Sequence, residues 1–532
     1  MNVKEKWKIA FFLFLMAGSA WAQNLEKISL EVGDTEWWTG IVTHGELMPV
    51  KDDYRANMYA NNYGNQIQPL LLSSDGRYIW SEEPLKIYFE KGSLKVETCG
   101  GELIYSNTDS TLRDAFLHAS QKYFPPSGKV PDLDLVRFPQ YNTWIELMYN
   151  QNQEDILRYA NAIMNNGFPP GVIMIDDNWQ EDYGVWKFHP GRFPAPKQMV
   201  DSLHAMGFKV MLWVCPFVSA DSEIFRRMRA NNIILKNLNG HPAIIRWWNG
   251  YSALLDFSNP EAGEWFVAQL NTLQSEFGVD GFKFDAGDSE YYNNVVSYNP
   301  VSPNEHTSLF GKIGLQFPLN EYRAMWKMAG QPLVQRLRDK NHSWDDLPKL
   351  IPHIVVQGLM GYSFTCPDMI GGGEFQSFLN AASIDQELVV RSAQIHALMP
   401  MMQFSAAPWR ILDEEHFSAT KMAVKIRKKY LDTILRLVKE SAETGEPVVR
   451  HMEYVFPHQG FAPIKDQFML GNDILVAPVI HQSQKSRKVI LPAGQWKDDQ
   501  DKVFPGPGEY SIDVPLERLP VFEKINDNFW EE

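Results

Sequence analysis

From about Leu135 to Phe404 the chain alternates short apolar runs with amphipathic segments, and no other feature of the sequence restricts its fold as strongly. Asp155 to Met164 and Pro196 to Met206 carry apolar residues at helical spacing, whereas the intervening runs have strand length. Such βα repetition implies a parallel sheet. The strand candidates are Leu135 to Tyr141, Val172 to Asp176, Lys209 to Cys215, Gly281 to Asp285, Asn320 to Met325, Leu333 to Arg338, Tyr362 to Thr365 and Met399 to Phe404. Eight strands close a (β/α)8 TIM barrel, with a doubly wound open sheet as the alternative. Before the barrel, runs such as Leu85-Lys-Ile-Tyr-Phe and Leu94-Lys-Val-Glu-Thr, broken by Lys91-Gly-Ser, predict an antiparallel β-sandwich. After a long basic helix around Ala419 to Glu443, β patterning returns at Ile474-Leu-Val-Ala-Pro-Val-Ile and predicts a small C-terminal β-sandwich. The expected division is a leader over 1–22, a β-sandwich over 23–131, the barrel over 132–445 and a second sandwich over 446–532.

The leader is read from Lys4, Lys6 and Lys8, the apolar run Ile9 to Ala17, and Ala20-Trp21-Ala22, which has the small-x-small form of a signal-peptidase site. The run is too short to span a bilayer, so the expectation is an exported protein, periplasmic or secreted, cleaved near Ala22. No later segment reads as a membrane span. A net charge of −15 argues against nucleic acid and anionic membranes as partners. The 17 tryptophans favour a sugar partner, because indole faces stack on the C–H faces of sugars. Cys99, Cys215 and Cys366 are too far apart for a disulfide framework or a metal cluster.

Reactive groups of a barrel sit at the C-terminal ends of its strands. Asp176 and Asp177 end the second strand, Asp285 ends the fourth, Arg323 lies in the fifth, Asp339 follows the sixth and Asp368 follows the seventh. Converging carboxylates suit metal binding or glycoside hydrolysis. The metal reading lacks ligands: His353 and His396 fall in helical segments and no H-E-x-x-H spacing occurs, so neither metal nor cofactor is expected. Alternation in the fourth strand turns Lys283 and Asp285 to one face. A lumenal lysine beside Asp285 would keep it ionised and nucleophilic, with a strand-end salt bridge as the alternative.

These residues resemble glycoside hydrolase family 31, and the resemblance extends through Gln467-Phe-Met-Leu-Gly-Asn-Asp-Ile-Leu-Val-Ala-Pro-Val and Leu519-Pro-Val-Phe. The resemblance implies hydrolysis of a terminal α-linked sugar with retention, with Asp285 as nucleophile. It places the acid/base at Asp339, ahead of Trp344 and Leu347, although Arg338-Asp-Lys by itself reads as a surface charge. It also implies that Asp368, in Cys366-Pro-Asp-Met-Ile-Gly-Gly-Gly, holds sugar hydroxyls, with a reserve role as acid/base, and that Asp176, Asp177, Trp248 and Arg323 contact the same sugar.

The departures from the common α-glucosidase pattern bear on specificity. Cys215 stands where an Asp is usual after the third strand, Lys283 where a Trp precedes the nucleophile, and Gln403 and Ser405 where an Arg and a His are expected. A thiol is a poor substitute for a carboxylate that accepts from an equatorial hydroxyl. With the Lys-x-Asp strand and Arg323, the chain looks more like the branch containing the myogenesis-regulating glycosidase and related α-galactosidases, which implies an α-galactosidase. The alternatives are an α-glucosidase, α-xylosidase or α-N-acetylgalactosaminidase of the same family, or a catalytically silent carbohydrate-binding protein. The raised pKa that a proton donor needs is expected at Asp339 from burial among other acids.

Overall fold

The helix Gln153–Asn165 shows how local sequence sets the barrel's outer layer: Asn152 caps it by accepting from the Asp155 N–H, and Ile156, Tyr159, Ala160 and Ile163 bury one stripe. The inner layer is parallel sheet. In this computed structural model, which describes residues 26–108 and 110–525, eight parallel strands follow one another around a barrel. They are β1 (Gln140–Asn142), β2 (Val172–Ile175), β3 (Lys209–Val214), β4 (Gly281–Phe284), β5 (Asn320–Tyr322), β6 (Gln335–Arg336), β7 (Thr365–Cys366) and β8 (Gln403–Phe404). Their order is β7-β6-β5-β4-β3-β2-β1-β8. The seam between β7 and β8 is bridged by Met369 pairing with Gln403 and by the Met401 N–H donating to the Thr365 carbonyl at 3.2 Å. The barrel is therefore nearly closed, and the open-sheet alternative falls. The expected leader lies outside the described residues.

All eight strands are shorter than the expected runs, and in two of them the cause is visible. In Leu135 to Tyr141, residues Asp134–Arg137 form a helical turn whose first N–H is taken by Asp132 Oδ1, and pairing begins only after Pro139, which has no N–H to give. In Asn320 to Met325, β5 stops at Tyr322. Beyond it, Met325–Trp326 leaves the barrel and pairs in parallel with Gln66 and Ile67 of the N-terminal sheet.

That N-terminal module supplies four antiparallel strands to each of two sheets, and the barrel's Met325–Trp326 makes one of them five-stranded. The loop over residues 61–66 reaches from it to the C-terminal ends of β5 and β6. A helix Glu414–Thr444, capped by Asp413 and ended by Gly445 at φ +83, packs on the helix Gln386–Ala397 and leads into the C-terminal module. There six antiparallel strands form one sheet in which Ser486–Asp498 pairs with both Val503–Asp513 and Val521–Ile525. Trp496, Leu475, Met469 and Phe522 form its own apolar cluster. Among the described residues no helix is long and apolar enough to cross a membrane.

Candidate active site

The C-terminal ends of the barrel strands open into a cleft of about 540 Å³. Asp176, Asp177, Lys283, Asp285, Arg323, Asp339 and Trp248 all line it. They come from five places along the chain, which the folded barrel brings together.

Asp285 lies at the closed end, 8% exposed. Ala286 adopts φ +58, which turns its N–H back to Asp285 Oδ1 at 2.8 Å. Arg323 Nε donates to the same oxygen at 2.9 Å, and Trp213 Nε1 donates to Oδ2 at 3.1 Å. Burial disfavours the charge on Asp285, but Arg323, Lys283 and Arg336 outweigh it and hold the carboxyl well below the usual range. Oδ1 thus has two donors and Oδ2 one.

The cation in direct contact with Asp285 is Arg323, not the expected Lys283. Lys283 points into the lumen as predicted, but its Nζ sits 2.6 Å from Asp176 Oδ2, and both side chains are buried. Arg323 is itself fixed by Asp288, which accepts from both of its Nη atoms, and by the Gly64 carbonyl at 2.7 Å. Asp288, not among the acids singled out in the sequence, is buried and also accepts from Asn62 Nδ2 at 3.1 Å. Neither partnership has a local signal, since Asn62 belongs to the N-terminal module.

Asp339 and Asp368 differ sharply. The Asp339 side chain lines the cleft and keeps 35% of its surface exposed, while Arg336 Nη1 holds its Oδ1 at 2.5 Å. Asp368 is sealed beneath it at φ +101: Oδ2 accepts from the Lys340 and Gly373 N–H groups at 2.7 and 3.1 Å, and Oδ1 lies 3.2 Å from the same Arg336 nitrogen. Asp368 therefore does not reach the cleft, which removes its reserve role as acid/base and its expected contact with sugar hydroxyls. It braces Arg336 instead. The expected rise at Asp339 is also corrected. Burial does push its pKa up, yet Arg336 and then Lys283 win and lower it. Asp368, its partner in this carboxylate pair, is raised to about 7 by burial and by the charge on Asp339, so the two acids share a proton between them. Arg336, missed in the sequence, is the hub: its Nε also lies 3.2 Å from Glu321 in the lumen.

Cys215 is fully buried in the apolar core and does not line the cleft, so it is not a sugar contact. Its neighbourhood at the cleft is supplied by the Trp213 indole. Asp177 lines the cleft but is held by Asn249 Nδ2 at 2.6 Å and the Tyr183 hydroxyl at 3.1 Å, and burial with the nearby Asp176 raises it to about 7. Gln403 binds Gln140 and Glu321 inside the lumen, and Ser405 Oγ accepts from the Ile145 N–H, so neither reaches the cleft. His353 and His396 lie in helices, as expected. Trp248, 48% exposed, stands at the mouth with the Arg323 guanidinium 5.5 Å from its ring centre.

Comparison with known proteins accords with this arrangement. Residues 138–437 match the TIM-barrel domain of glycosyl hydrolases family 31, and residues 445–527 match that family's C-terminal domain. The mouse myogenesis-regulating glycosidase is 33% identical over 409 residues, covering 75% of this chain and 57% of that protein. Alpha-glucosidase 2 of Bacillus thermoamyloliquefaciens is 26% identical over 408 residues, covering 70% of this chain and 51% of that one. The chain thus spans little more than half the length of these relatives. A Flavobacterium johnsoniae GH31 dextranase complexed with glucose superposes with a TM-score of 0.83 at 19% identity, over 94% of this chain and 67% of that one, a likeness of fold. With its barrel and C-terminal module both matched and its carboxylates gathered at the strand ends, the chain belongs to glycoside hydrolase family 31.

Proposed function

We propose that the protein is an exo-acting, retaining α-glycosidase, with Asp285 as nucleophile and Asp339 as acid/base. The observation that carries this reading is the pairing, in one cleft, of a carboxylate held ionised at the closed end with a second, partly exposed one on the wall. In the first step Asp285 Oδ2 attacks the anomeric carbon as its bond to the leaving oxygen breaks, and Asp339 gives that oxygen its proton. In the second, water attacks the same carbon, passes a proton to Asp339, and Asp285 departs. Arg336 favours charged Asp339, which suits the base of the second step. The acid of the first step requires the pair's proton on Asp339, and a bound sugar that excludes water from the cleft favours this.

Within that reading the sugar is galactose. Support comes from Lys283 in the lumen, engaged with Asp176 where common α-glucosidases carry a Trp, and from the absence of a carboxylate at Cys215. Relatives named as an α-glucosidase and an α-xylosidase define the competitors. Hydrolysis of matched aryl α-galactoside, α-glucoside, α-xyloside and α-N-acetylgalactosaminide decides it. Release from the galactoside alone, lost in Asp285→Ala and Asp339→Ala, is the expected result; turnover of only another sugar overturns the galactose assignment, and turnover of none overturns the hydrolase. Export, with cleavage near Ala22, is proposed on the leader sequence and is tested by the N-terminal residue of the protein recovered outside the cytoplasm.

A further inference from the structure

The cations around the cleft are nearly all engaged. Lys283 is paired with Asp176, Arg323 with Asp285 and Asp288, and Arg336 with Glu321, Asp339 and Asp368. Arg338 differs: among the described residues its side chain has no ion pair or hydrogen bond, although it lines the cleft and is exposed. Its backbone, by contrast, is fixed. The Arg338 N–H donates to Asn65 Oδ1 at 2.9 Å, and its carbonyl accepts from Lys340 Nζ at 2.9 Å. A side chain left free on a pinned backbone at a cleft wall is presented to whatever enters.

Its place along the cleft follows from depth. Asp285, Lys283 and Asp176 are buried at the closed end, Asp339 is partly exposed above them, and Arg338 and Trp248 are exposed at the mouth. The sugar attacked by Asp285 fills the closed end, and the group protonated by Asp339 lies outward. Gly64 supports the same placement: a Cβ there would stand 3.6 Å from Arg338 Nη1 and 3.7 Å from Arg323 Nη1, so both guanidinium groups lie over the bare glycine. Since Arg323 grips the nucleophile, Arg338 lies along the same wall, next to the acid/base.

Resting on the hydrolase reading above, we infer that Arg338 is the leaving-group contact of the site, its planar fork binding two neighbouring hydroxyl oxygens of the sugar that departs, with the Trp248 face beside it. The guanidinium fork matches paired oxygens better than a lysine point charge does. A neutral sugar is favoured over an anionic one because Asp288, Glu290 and Glu374 line the same cleft. The residue thus sets the choice of leaving group and leaves the chemical step alone.

The test compares the full chain with Arg338→Ala and Arg338→Lys on two substrates sharing the glycone the chain turns over: a nitrophenyl glycoside, whose leaving group has no hydroxyl pair, and an α-linked disaccharide. For Arg338→Ala, kcat/KM on the disaccharide should fall about 10- to 100-fold, the loss of a charged hydrogen-bonded contact, with less than about a twofold change on the nitrophenyl glycoside. Arg338→Lys should recover only part of the loss. An equal fall on both substrates, or none on the disaccharide, overturns the inference and leaves the hydrolase reading standing. A wild-type preference for a disaccharide whose leaving sugar is a uronic acid overturns it in favour of an anion contact. Absence of turnover on every glycone brings down the hydrolase reading and this inference together.

Discussion

At the scale of single residues, the site separates two carboxylates by the cations each one meets. Asp285 is surrounded by Arg323, Lys283 and Arg336 and stays ionised, whereas the Asp339 and Asp368 pair shares the one Arg336 nitrogen and keeps a proton to about neutral pH. A charged Asp368 makes it harder for Asp339 to ionise. Replacing it by Asn removes that repulsion while Arg336 still draws the proton off Asp339. The basic limb of the kcat/KM profile should therefore move to lower pH in Asp368→Asn, with the acid limb, set by Asp285, unmoved. A basic limb that stays in place, measured on an aryl α-glycoside, would show that the pair does not supply the proton. The sequence made Asp285 legible because strand alternation and a barrel rule suffice to aim it into the lumen. Arg336 was illegible, because two of its three carboxylate partners, Glu321 and Asp368, come from neighbouring strands, and the pKa expected of Asp339 failed with it.

At the scale of elements, the loop over residues 61–66 organises the site from outside the barrel. Asn65 donates to the Arg323 and Arg336 carbonyls at 3.2 and 3.1 Å and accepts from the Arg338 N–H, and Gln66 reaches the Arg336 carbonyl at 3.0 Å. One buried amide thereby ties the segments carrying the clamp of the nucleophile, the hub of the carboxylate pair and the cleft wall. In Asn65→Ala the Arg338 N–H loses its acceptor, while the Arg323 and Arg336 carbonyls keep the Gln66 amide, so one group is left unsatisfied at about 1 to 3 kcal/mol. Stability in urea should drop by that order. A displacement of about 1 Å near the reacting groups should lower kcat on the order of 100-fold. Loss of stability with unchanged kcat would mean that the loop only supports the fold. Sequence alone gave no hint of this brace, nor of β5 ending at Tyr322, because Met325–Trp326 finds its partner in a strand far earlier in the chain. Helix limits were nearer for Asp155 to Met164, observed as Gln153–Asn165, than for the helix expected from Ala419, which begins at Glu414 behind the Asp413 cap.

At the scale of the molecule, the N-terminal sheets and the barrel share one apolar core, and the barrel contributes a strand to the larger of those sheets. The C-terminal module keeps an additional cluster of its own around Trp496. Calorimetry should therefore show the N-terminal module and barrel unfolding in a single transition, with calorimetric and van't Hoff enthalpies agreeing for that unit. A separate low-temperature transition, removed with the N-terminal module, would contradict the shared core. The same union explains why a site at the barrel's mouth depends on Asn62, Gly64 and Asn65, and why the domain order, readable from β and βα rhythm, did not reveal where the domains meet.

The central claim is that Asp285 becomes covalently bound to the sugar. Treating the protein with a 5-fluoro-α-glycosyl fluoride of its preferred sugar should slow loss of the intermediate enough to accumulate it, and peptide mass spectrometry should then locate one added sugar on Asp285. The account predicts that label on Asp285, its absence in Asp285→Ala, and its persistence in Asp339→Ala. Label on another carboxylate, or release of fluoride with no labelled peptide, would contradict it.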